Sequence, residues 1–140
     1  MIADAEERAR LVRESVAEAL PRPIDEVQLD DFLMDDLGAD SLTLLDIVFR
    51  LEMAFDIEIT RGEIEKTARG DLSEEEFAPD NIVSAAGLER LRELLPEAAD
   101  RIHPGLRTAE IYTLFTPRTF LRIVERKLDG STPTGADLDE

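Results

Sequence analysis

Apolar residues recur at intervals of three and four in the first part of the chain, a spacing typical of one face of a helix. This pattern predicts a first helix over residues 3–20, and its repeated positions are Ala5, Ala9, Val12, Val16 and Ala19 or Leu20. Pro21 and Pro23 end it, because proline lacks an amide donor and restricts the residue before it. Residues 21–40 are then a loop, whose many apolar side chains predict that it is pinned onto the core.

A second helix is predicted from about Ser41 to Phe55, with Asp40 or Ser41 as its N-cap. Its apolar positions are a stripe of Leu44, Val48, Leu51 and Phe55 and a wider set of Leu42, Leu45, Ile47, Phe49 and Met53. The side chains expected in the core are Leu45, Val48, Leu51 and Phe55. A helix with this much apolar surface either lies at the centre of its bundle or has a second apolar face that binds a partner.

The middle of the chain is less regular. Residues 60–80 are polar, and the one element predicted there is a short turn, SEEEF, that opens with a capping box of Ser73 and Glu76. Residues 84–95 predict a helix with three leucines on one face. A weaker helical pattern continues over residues 98–102.

The last part of the chain predicts a turn, one further helix and a tail. His103-Pro104-Gly105 is typical of a turn. A helix over residues 116–128 has clear signals at its start, since Thr116 is a suitable cap and Pro117 takes the first helical position, where an amide has no partner in any case. The tail, residues 129–140, is expected to be disordered.

Composition and charge indicate a folded domain and argue against some classes of binding partner. The 140 residues are 43% apolar and 35% charged, which suffices for a modest core. The net charge is −17, and residues 25–58 contain eleven acids and a single base, Arg50. Such a surface repels nucleic acid and anionic lipid and attracts basic proteins. No stretch is long and apolar enough for a membrane span, so we expect a cytoplasmic protein.

Few residues are available for catalysis or metal binding. The chain has no cysteine, which excludes a disulfide, a thiol nucleophile and a thiolate metal site, and one histidine, His103. The nucleophile elbow of a serine hydrolase has the motif G-x-S-x-G. In this chain Ala39 and Thr43 stand in place of the two glycines around Ser41, so the motif is absent. The aspartates of residues 31–40 lack the spacing of an EF-hand. We therefore expect neither an enzyme nor a metal site.

Ser41 is the residue best suited to chemistry. It stands in LGADSL, between an acidic loop and the segment TLLDIVFRLEMAFDIEI. DDLGADSL followed by this helix closely resembles the acyl carrier protein signature, and the resemblance is best over residues 29–59. A helix N-terminus suits a phosphodiester, because its free amides and its dipole favour negative charge. Outside this context Ser41 would be interpreted as an ordinary helix cap.

The resemblance implies a role for several residues of this segment. A phosphopantetheinyl transferase would attach 4′-phosphopantetheine from coenzyme A to Ser41, and the thiol of that group would hold an acyl chain as a thioester. The residues expected to contact the transferase, and acyl synthases or acyltransferases with basic docking surfaces, are Asp40 and Leu42 beside the serine and Asp46, Glu52 and Asp56 along the helix. Arg50 and Met53 depart from the acidic or small residues common along the family's recognition helix.

The fold expected from the resemblance is an all-α, acyl-carrier-like helical bundle. Residues 1–128 would form a single carrier domain, with an inserted helical segment at about 60–115 between the second and last core helices. The pattern DIVFRLEMAFDIEI also resembles specialised carriers of very long acyl chains for outer-membrane lipid A in some bacteria. The insertion then enlarges an acyl pocket, forms a platform for a dedicated partner, or is an added stabilising cap.

Two classes of function remain open. The first is a monomeric carrier of acyl intermediates for fatty acid or specialised lipid biosynthesis or, alternatively, for a polyketide pathway. The second is a carrier-like acidic interaction module without cargo. The intact Ser41 favours the first class.

Overall fold

Every α-helix of the computed structural model lies in residues 4–129, the part of the chain that the structure describes. The α-helices are α1 (Ala5–Ala19), α2 (Ser41–Phe55), α3 (Arg61–Arg69), α4 (Glu74–Phe77), α5 (Ala85–Leu94) and α6 (Pro117–Asp129). Three 3-10 helices span Ile24–Glu26, Pro96–Arg101 and Thr108–Leu114. The predicted all-α class is confirmed. Asp129, the first residue of the tail expected over 129–140, is instead the last residue of α6, and the rest of that tail lies outside the described residues.

The chain forms two compact units. Unit 1 contains the residues up to Ile59 and those from Thr116, and unit 2 is Thr60–Phe115. The interpretation of the chain as one carrier domain, residues 1–128, with an insertion at about 60–115 stays a prediction.

Unit 1 is a bundle in which α1 packs against α2 and α6. Asp4 caps α1, because its carboxylate accepts a hydrogen bond from the Glu7 amide at 2.8 Å. Thr116 caps α6 as predicted, with its hydroxyl accepting from the Thr119 amide at 3.4 Å. The apolar side chains buried in this unit include Val12, Val16, Leu33, Ile47, Leu51, Phe55, Phe120, Ile123 and Val124.

The predicted bounds of α2 are confirmed, but its predicted core face is partly wrong. The buried stripe is Leu44, Ile47, Leu51 and Phe55. Leu45 is 55% exposed, and Val48 is only half-buried. Because apolar residues surround most of this helix, its periodicity allows more than one buried face, and packing against α1 selects the one that contains Ile47.

The loop between α1 and α2 is pinned onto unit 1, as its apolar content predicts. Val27, Leu33 and Leu37 are buried. Arg13 of α1 donates to two loop carbonyls, from Nε to Val27 at 2.6 Å and from Nη2 to Ile24 at 3.1 Å. These contacts fix the acidic segment at the point where α2 begins.

Unit 2 contains a helix, α3, that was not predicted, because residues 60–80 are mostly polar. α3 begins with a capping box, in which the Glu63 amide donates to the Thr60 hydroxyl at 3.2 Å and the Thr60 amide donates to Glu63 at 2.8 Å. It packs against α5 through buried Thr67 and Ala68. Two buried side chains are too few to form an apolar pattern in the sequence.

The other elements of unit 2 follow the sequence more closely. Ser73 and Glu76 form the predicted capping box at α4, and α5 occupies most of the predicted 84–95. The weak pattern over 98–102 is part of the 3-10 helix Pro96–Arg101. α4 and α5 approach closely, since a Cβ at Gly87 would lie 2.5 Å from the Phe77 carbonyl oxygen.

Candidate functional site

A tight turn positions the start of α2. The Asp36 carboxylate accepts from the Phe32 amide at 2.8 Å, and the Ala39 amide donates to the Leu33 carbonyl at 2.8 Å. Gly38 adopts φ +76° within this turn, a left-handed conformation that favours glycine. The turn buries Ala39 and leaves Asp40 and Ser41 exposed at the start of α2.

Asp40, and not Ser41, is the N-cap of α2. Its carboxylate accepts hydrogen bonds from the Thr43 amide and the Thr43 hydroxyl, both at 2.9 Å. These hydrogen bonds, the amide's first, hold the pKa of the Asp40 carboxyl below its usual value. The sequence left Asp40 and Ser41 as alternative caps, and the structure assigns the role to Asp40.

Ser41 is the first residue of α2, and its side chain is exposed. Within residues 4–129 its hydroxyl takes part in none of the hydrogen bonds that stabilise the turn or the cap. It therefore lies at the positive end of a 15-residue helix dipole with its oxygen accessible. A phosphate on this oxygen would be placed where helix amides favour an anion.

An ion pair anchors the acidic loop to the last helix. Arg118 of α6 binds the Asp30 carboxylate through Nε at 2.7 Å and Nη2 at 3.2 Å, and its amide donates to the Leu29 carbonyl at 3.0 Å. The hydrogen bond from Arg118 holds the pKa of Asp30 below its ordinary value of 3.8. Sequence reasoning missed this pair, because no local pattern links residues 88 positions apart.

The outer side of α2 carries a row of exposed apolar side chains, here called the α2 ridge. It consists of Leu42, Leu45, Phe49 and Met53, which are 75%, 55%, 58% and 77% exposed. Their spacing of three, four and four residues repeats that of the buried stripe, displaced by two positions. Two positions correspond to about 200° around a helix, so the ridge lies opposite the buried face. It begins next to Ser41.

Of the three acids along α2 that are predicted to contact partners, Asp46 and Glu52 make polar contacts within unit 1. Asp46 pairs with Arg50 at 3.3 Å, and Arg50 also contacts Glu18 at 3.5 Å. The Glu52 carboxylate accepts from the Ile59 amide at 2.9 Å. Asp56 is exposed at the left-handed C-cap. Arg50 thus offsets negative charge beside the α2 ridge.

His103, the one histidine considered for catalysis or metal binding, is distant from Ser41 in sequence and lies in unit 2. It is exposed beside the turn formed by Pro104 and Gly105, as predicted. In residues 4–129 no helix is long and apolar enough to cross a membrane. In the same part of the chain no group of three or more His, Cys, Asp or Glu side chains is placed to hold a metal ion.

Comparisons with known proteins point to one family. Residues 10–75 match the family model described as "Phosphopantetheine attachment site". An acyl carrier protein of an Exiguobacterium species is 44% identical over 57 residues, which cover 41% of this chain and 72% of that protein. Acyl carrier proteins of Campylobacter hominis and a Sulfurovum species are each 46% identical, over 55 and 57 residues. These matches cover 39% and 41% of this chain and 70% and 76% of those proteins. No solved structure matches.

Proposed function

Since this chain belongs to the acyl carrier protein family, we propose that Ser41 is the residue to which its 4′-phosphopantetheine is attached. The chain carries acyl groups on that covalently bound prosthetic group, whose thiol supplies the thioester. The observation that carries the assignment is the position of Ser41: the exposed first residue of α2, directly after the cap. The matched stretch, residues 10–75, includes it.

The local geometry fits a phosphodiester at Ser41. Asp40 provides the capping interaction, so modification of the Ser41 oxygen removes no hydrogen bond from the helix start. The first-turn amides and the helix dipole favour the added anion. Nearby carboxylates oppose it, but exposed charges are screened over about 8–10 Å at physiological salt.

We further propose that the chain acts as a carrier and not as a catalyst. A serine nucleophile needs a base within hydrogen-bond distance. The nearest groups whose contacts define the helix start, Asp40 and Thr43, bind each other. Ser41 thus has the exposure of a residue that another enzyme modifies.

Partner docking is best supported along the outer side of α2. Leu42 is the first residue of the α2 ridge and Asp40 flanks Ser41 on the other side. These positions support the proposal that both residues contact the transferase. Of the acids along the helix, Asp46 and Glu52 are hydrogen-bonded within unit 1, whereas Asp56 is exposed. We propose that the ridge supplies the contact area for the transferase and for acyl-processing enzymes, and that the surrounding acids orient basic partners.

The pathway is proposed from the cargo. Acyl carriage fits fatty acid or specialised lipid biosynthesis, with a polyketide pathway as the alternative. Phe49 and Met53 extend the exposed apolar surface that a partner of either pathway would contact. The monomeric state and the cytoplasmic location stay predictions.

The test is intact mass after incubation with a broad-specificity phosphopantetheinyl transferase, Mg²⁺ and coenzyme A. We expect one phosphopantetheinyl mass gain in the wild-type chain and none in Ser41→Ala. Ser73→Ala is the matched control, since Ser73 is also exposed at a helix start, and should be modified like the wild type. A gain retained in Ser41→Ala would contradict the assignment, as would no gain in a folded sample while a control carrier is modified.

A further inference from the structure

Unit 2 contains a cleft that the function proposed above does not use. Its volume is about 380 Å³, and it lies between α3, the end of α4 and the 3-10 helix Thr108–Leu114. The part of its wall from Phe77 to Phe115 lies beyond the family-model match at residues 10–75. The cleft therefore belongs in large part to a segment that the family model does not describe.

The floor of the cleft is apolar. Ala68, Phe77, Ile111 and Phe115 line it and are each less than a tenth exposed. Tyr112, which packs edge-to-face on Phe115 with ring centroids 5.3 Å apart, forms another part of the wall. Such a floor favours a large apolar group, because burial removes the apolar surface of both from water.

Apolar surface continues from the cleft onto the outside of unit 2. Among the described residues of this unit, the exposed large apolar side chains are Ile82, at 50%, and Tyr112, at 38%. Ile82 follows the lining residue Asn81 and forms an isolated β-bridge with Arg107. Apolar surface that is exposed around a cavity is typical of a site for another protein.

The side of the cleft formed by α4 is acidic. Residues 71–80 contain five acids and no base. Glu76 is bound in the capping box of α4. The other four side chains are exposed, and within residues 4–129 they make no hydrogen bond or ion pair: Asp71, Glu74, Glu75 and Asp80. Their charges are therefore available to a partner.

Two arginines on the opposite wall do not remove this excess of negative charge. Arg61 Nε pairs with the Glu65 carboxylate at 3.4 Å, and Arg69 Nη2 lies 3.9 Å from the same carboxylate. Both positive charges are thus partly neutralised within α3. The free charge beside the cleft is negative and lies on the α4 side.

We propose that this cleft docks a segment of a partner protein that presents one large apolar side chain between lysine or arginine residues. The apolar side chain enters the cavity, and the basic residues contact the free acids of residues 71–80. A small apolar molecule would fill the cavity and leave these acids and the exposed Ile82 without a partner. The proposal concerns unit 2 alone and does not depend on modification of Ser41.

The cleft contains its own optical probe, because Tyr112 is the only tyrosine and the chain has no tryptophan. The experiment titrates the full-length apo chain at physiological salt with the acetylated, amidated peptides KKFKK, KKLKK and KKMKK. We expect at least one peptide to produce a saturable change in tyrosine fluorescence and chemical-shift changes at the Ala68 and Ala78 methyl groups. Ser41→Ala should bind the peptides like the wild type, since Ser41 lies in unit 1.

One variant tests the cavity. Ala78→Leu adds three carbons to the lining and should weaken binding of the best peptide about tenfold or more. Ala86→Leu is the matched control, since Ala86 is exposed on α5 and outside the lining.

A second variant tests the charge and does not alter the packing. Glu74→Lys reverses an exposed charge in the lining and should weaken binding about fivefold, with a smaller effect at high salt. Glu89→Lys, an exposed charge reversal on α5 outside the lining, should bind like the parent.

Matched probes separate the two parts of the proposed segment. KKAKK lacks the large side chain and should leave the Ala68 methyl shift unchanged. EEFEE keeps the phenylalanine with acidic neighbours, and p-cresol supplies an aromatic ring with no neighbours. Both should bind more weakly than the best basic peptide, because neither has a positive charge for residues 71–80.

The proposal is overturned if none of the three basic peptides gives a saturable change at the cleft, or if the shifts fall only on methyl groups of unit 1. It is also overturned if Ala78→Leu and Glu74→Lys bind as well as their controls. Equal binding of p-cresol would assign the cleft to a small molecule, and equal binding of EEFEE would remove the role of charge. Phosphopantetheinylation of Ser41 is measured separately by mass, so either proposal can fail while the other stands.

Discussion

α2 and α5 are both helices with a stripe of buried apolar residues, but they differ on the opposite side. α5 buries Gly87, Leu88 and Leu91, and its fully exposed positions are alanine or charged. α2 buries Leu44, Ile47, Leu51 and Phe55 and still exposes the four large side chains of the α2 ridge. α5 has the amphipathic pattern that its own packing requires, whereas α2 has an apolar surface that packing in unit 1 does not use.

This difference separates apolar residues that the packing of a helix requires from apolar residues that it does not use. An exposed row of large apolar side chains is unfavourable for an isolated protein and is typical of a surface that binds a partner. The row begins beside Ser41, so the helix that presents the proposed attachment site also presents the proposed contact surface.

The largest expected effect comes from the buried stripes. Leu51→Ala in α2 and Leu91→Ala in α5 each leave a cavity at a fully buried position and should lower the free energy of unfolding by about 2–5 kcal/mol. Leu42→Ala, on the α2 ridge, should change it by no more than about 0.5 kcal/mol. Urea unfolding followed by circular dichroism measures all three. A large loss of unfolding free energy in Leu42→Ala would show that the α2 ridge is packed in the fold. α2 would then not differ from α5 on its outer side.

A smaller effect is expected at the close approach of α5 and α4. Gly87→Ala places a Cβ 2.5 Å from the Phe77 carbonyl oxygen and 2.7 Å from Val83 Cγ1, and this overpacking should destabilise unit 2 by about 1–3 kcal/mol. Gly62→Ala in α3 is the control, since its Cβ meets nothing nearer than 3.9 Å. The control should be neutral or slightly stabilising. Amide hydrogen exchange in α5 measures the change, and equal protection in both variants would contradict the packing.

The α2 ridge should contribute to partner recognition more than to stability. Phe49→Ala is expected to lower kcat/KM for phosphopantetheinylation about tenfold, because a large apolar side chain is lost from the contact. Asp46→Asn, whose carboxylate already pairs with Arg50, is expected to have a smaller effect. The loss in Phe49→Ala should persist at high salt, since apolar contacts are not screened. An effect confined to Asp46→Asn and abolished by salt would assign recognition to charge.

The smallest expected effect concerns the anchor of the acidic loop. The hydrogen bond from Arg118 lowers the folded-state pKa of Asp30 below 3.8. The pair therefore contributes stability above pH 3.8, and the contribution is lost as the pH falls through the lowered value. Because the Asp30 side chain is 58% exposed, we expect no more than about 1 kcal/mol. Asp30→Asn should show this deficit at neutral pH in thermal unfolding and match the wild type in strong acid. A deficit independent of pH would contradict an ionic anchor.

Features of the fold that depend on local sequence signals were predicted correctly, whereas features that depend on tertiary packing were not. The bounds of α2 and the start of α6 followed from caps and proline, which are local effects. Ser41 was singled out by a motif and by its place between an acidic loop and a helix, and the structure shows that place as an exposed helix start.

The errors arose where tertiary packing decides. Leu45 and Ile47 are equally apolar, and only the neighbouring helix determines which is buried. α3 has few apolar residues, yet its capping box of Thr60 and Glu63 was a local signal that went unused. Unit 2 also contains a cavity lined by residues from between Arg61 and Phe115, and no sequence spacing predicts such a cavity.

The cap at Asp40 has a consequence for the working cycle of the carrier. Because Asp40 and Thr43 close the helix without the Ser41 hydroxyl, the serine oxygen can be esterified, or released again by hydrolysis, with no structural hydrogen bond broken. If Ser41 is the attachment residue, as proposed, the start of α2 needs no rearrangement when the prosthetic group is attached or removed. The apo chain then already has the helix start that the loaded chain requires.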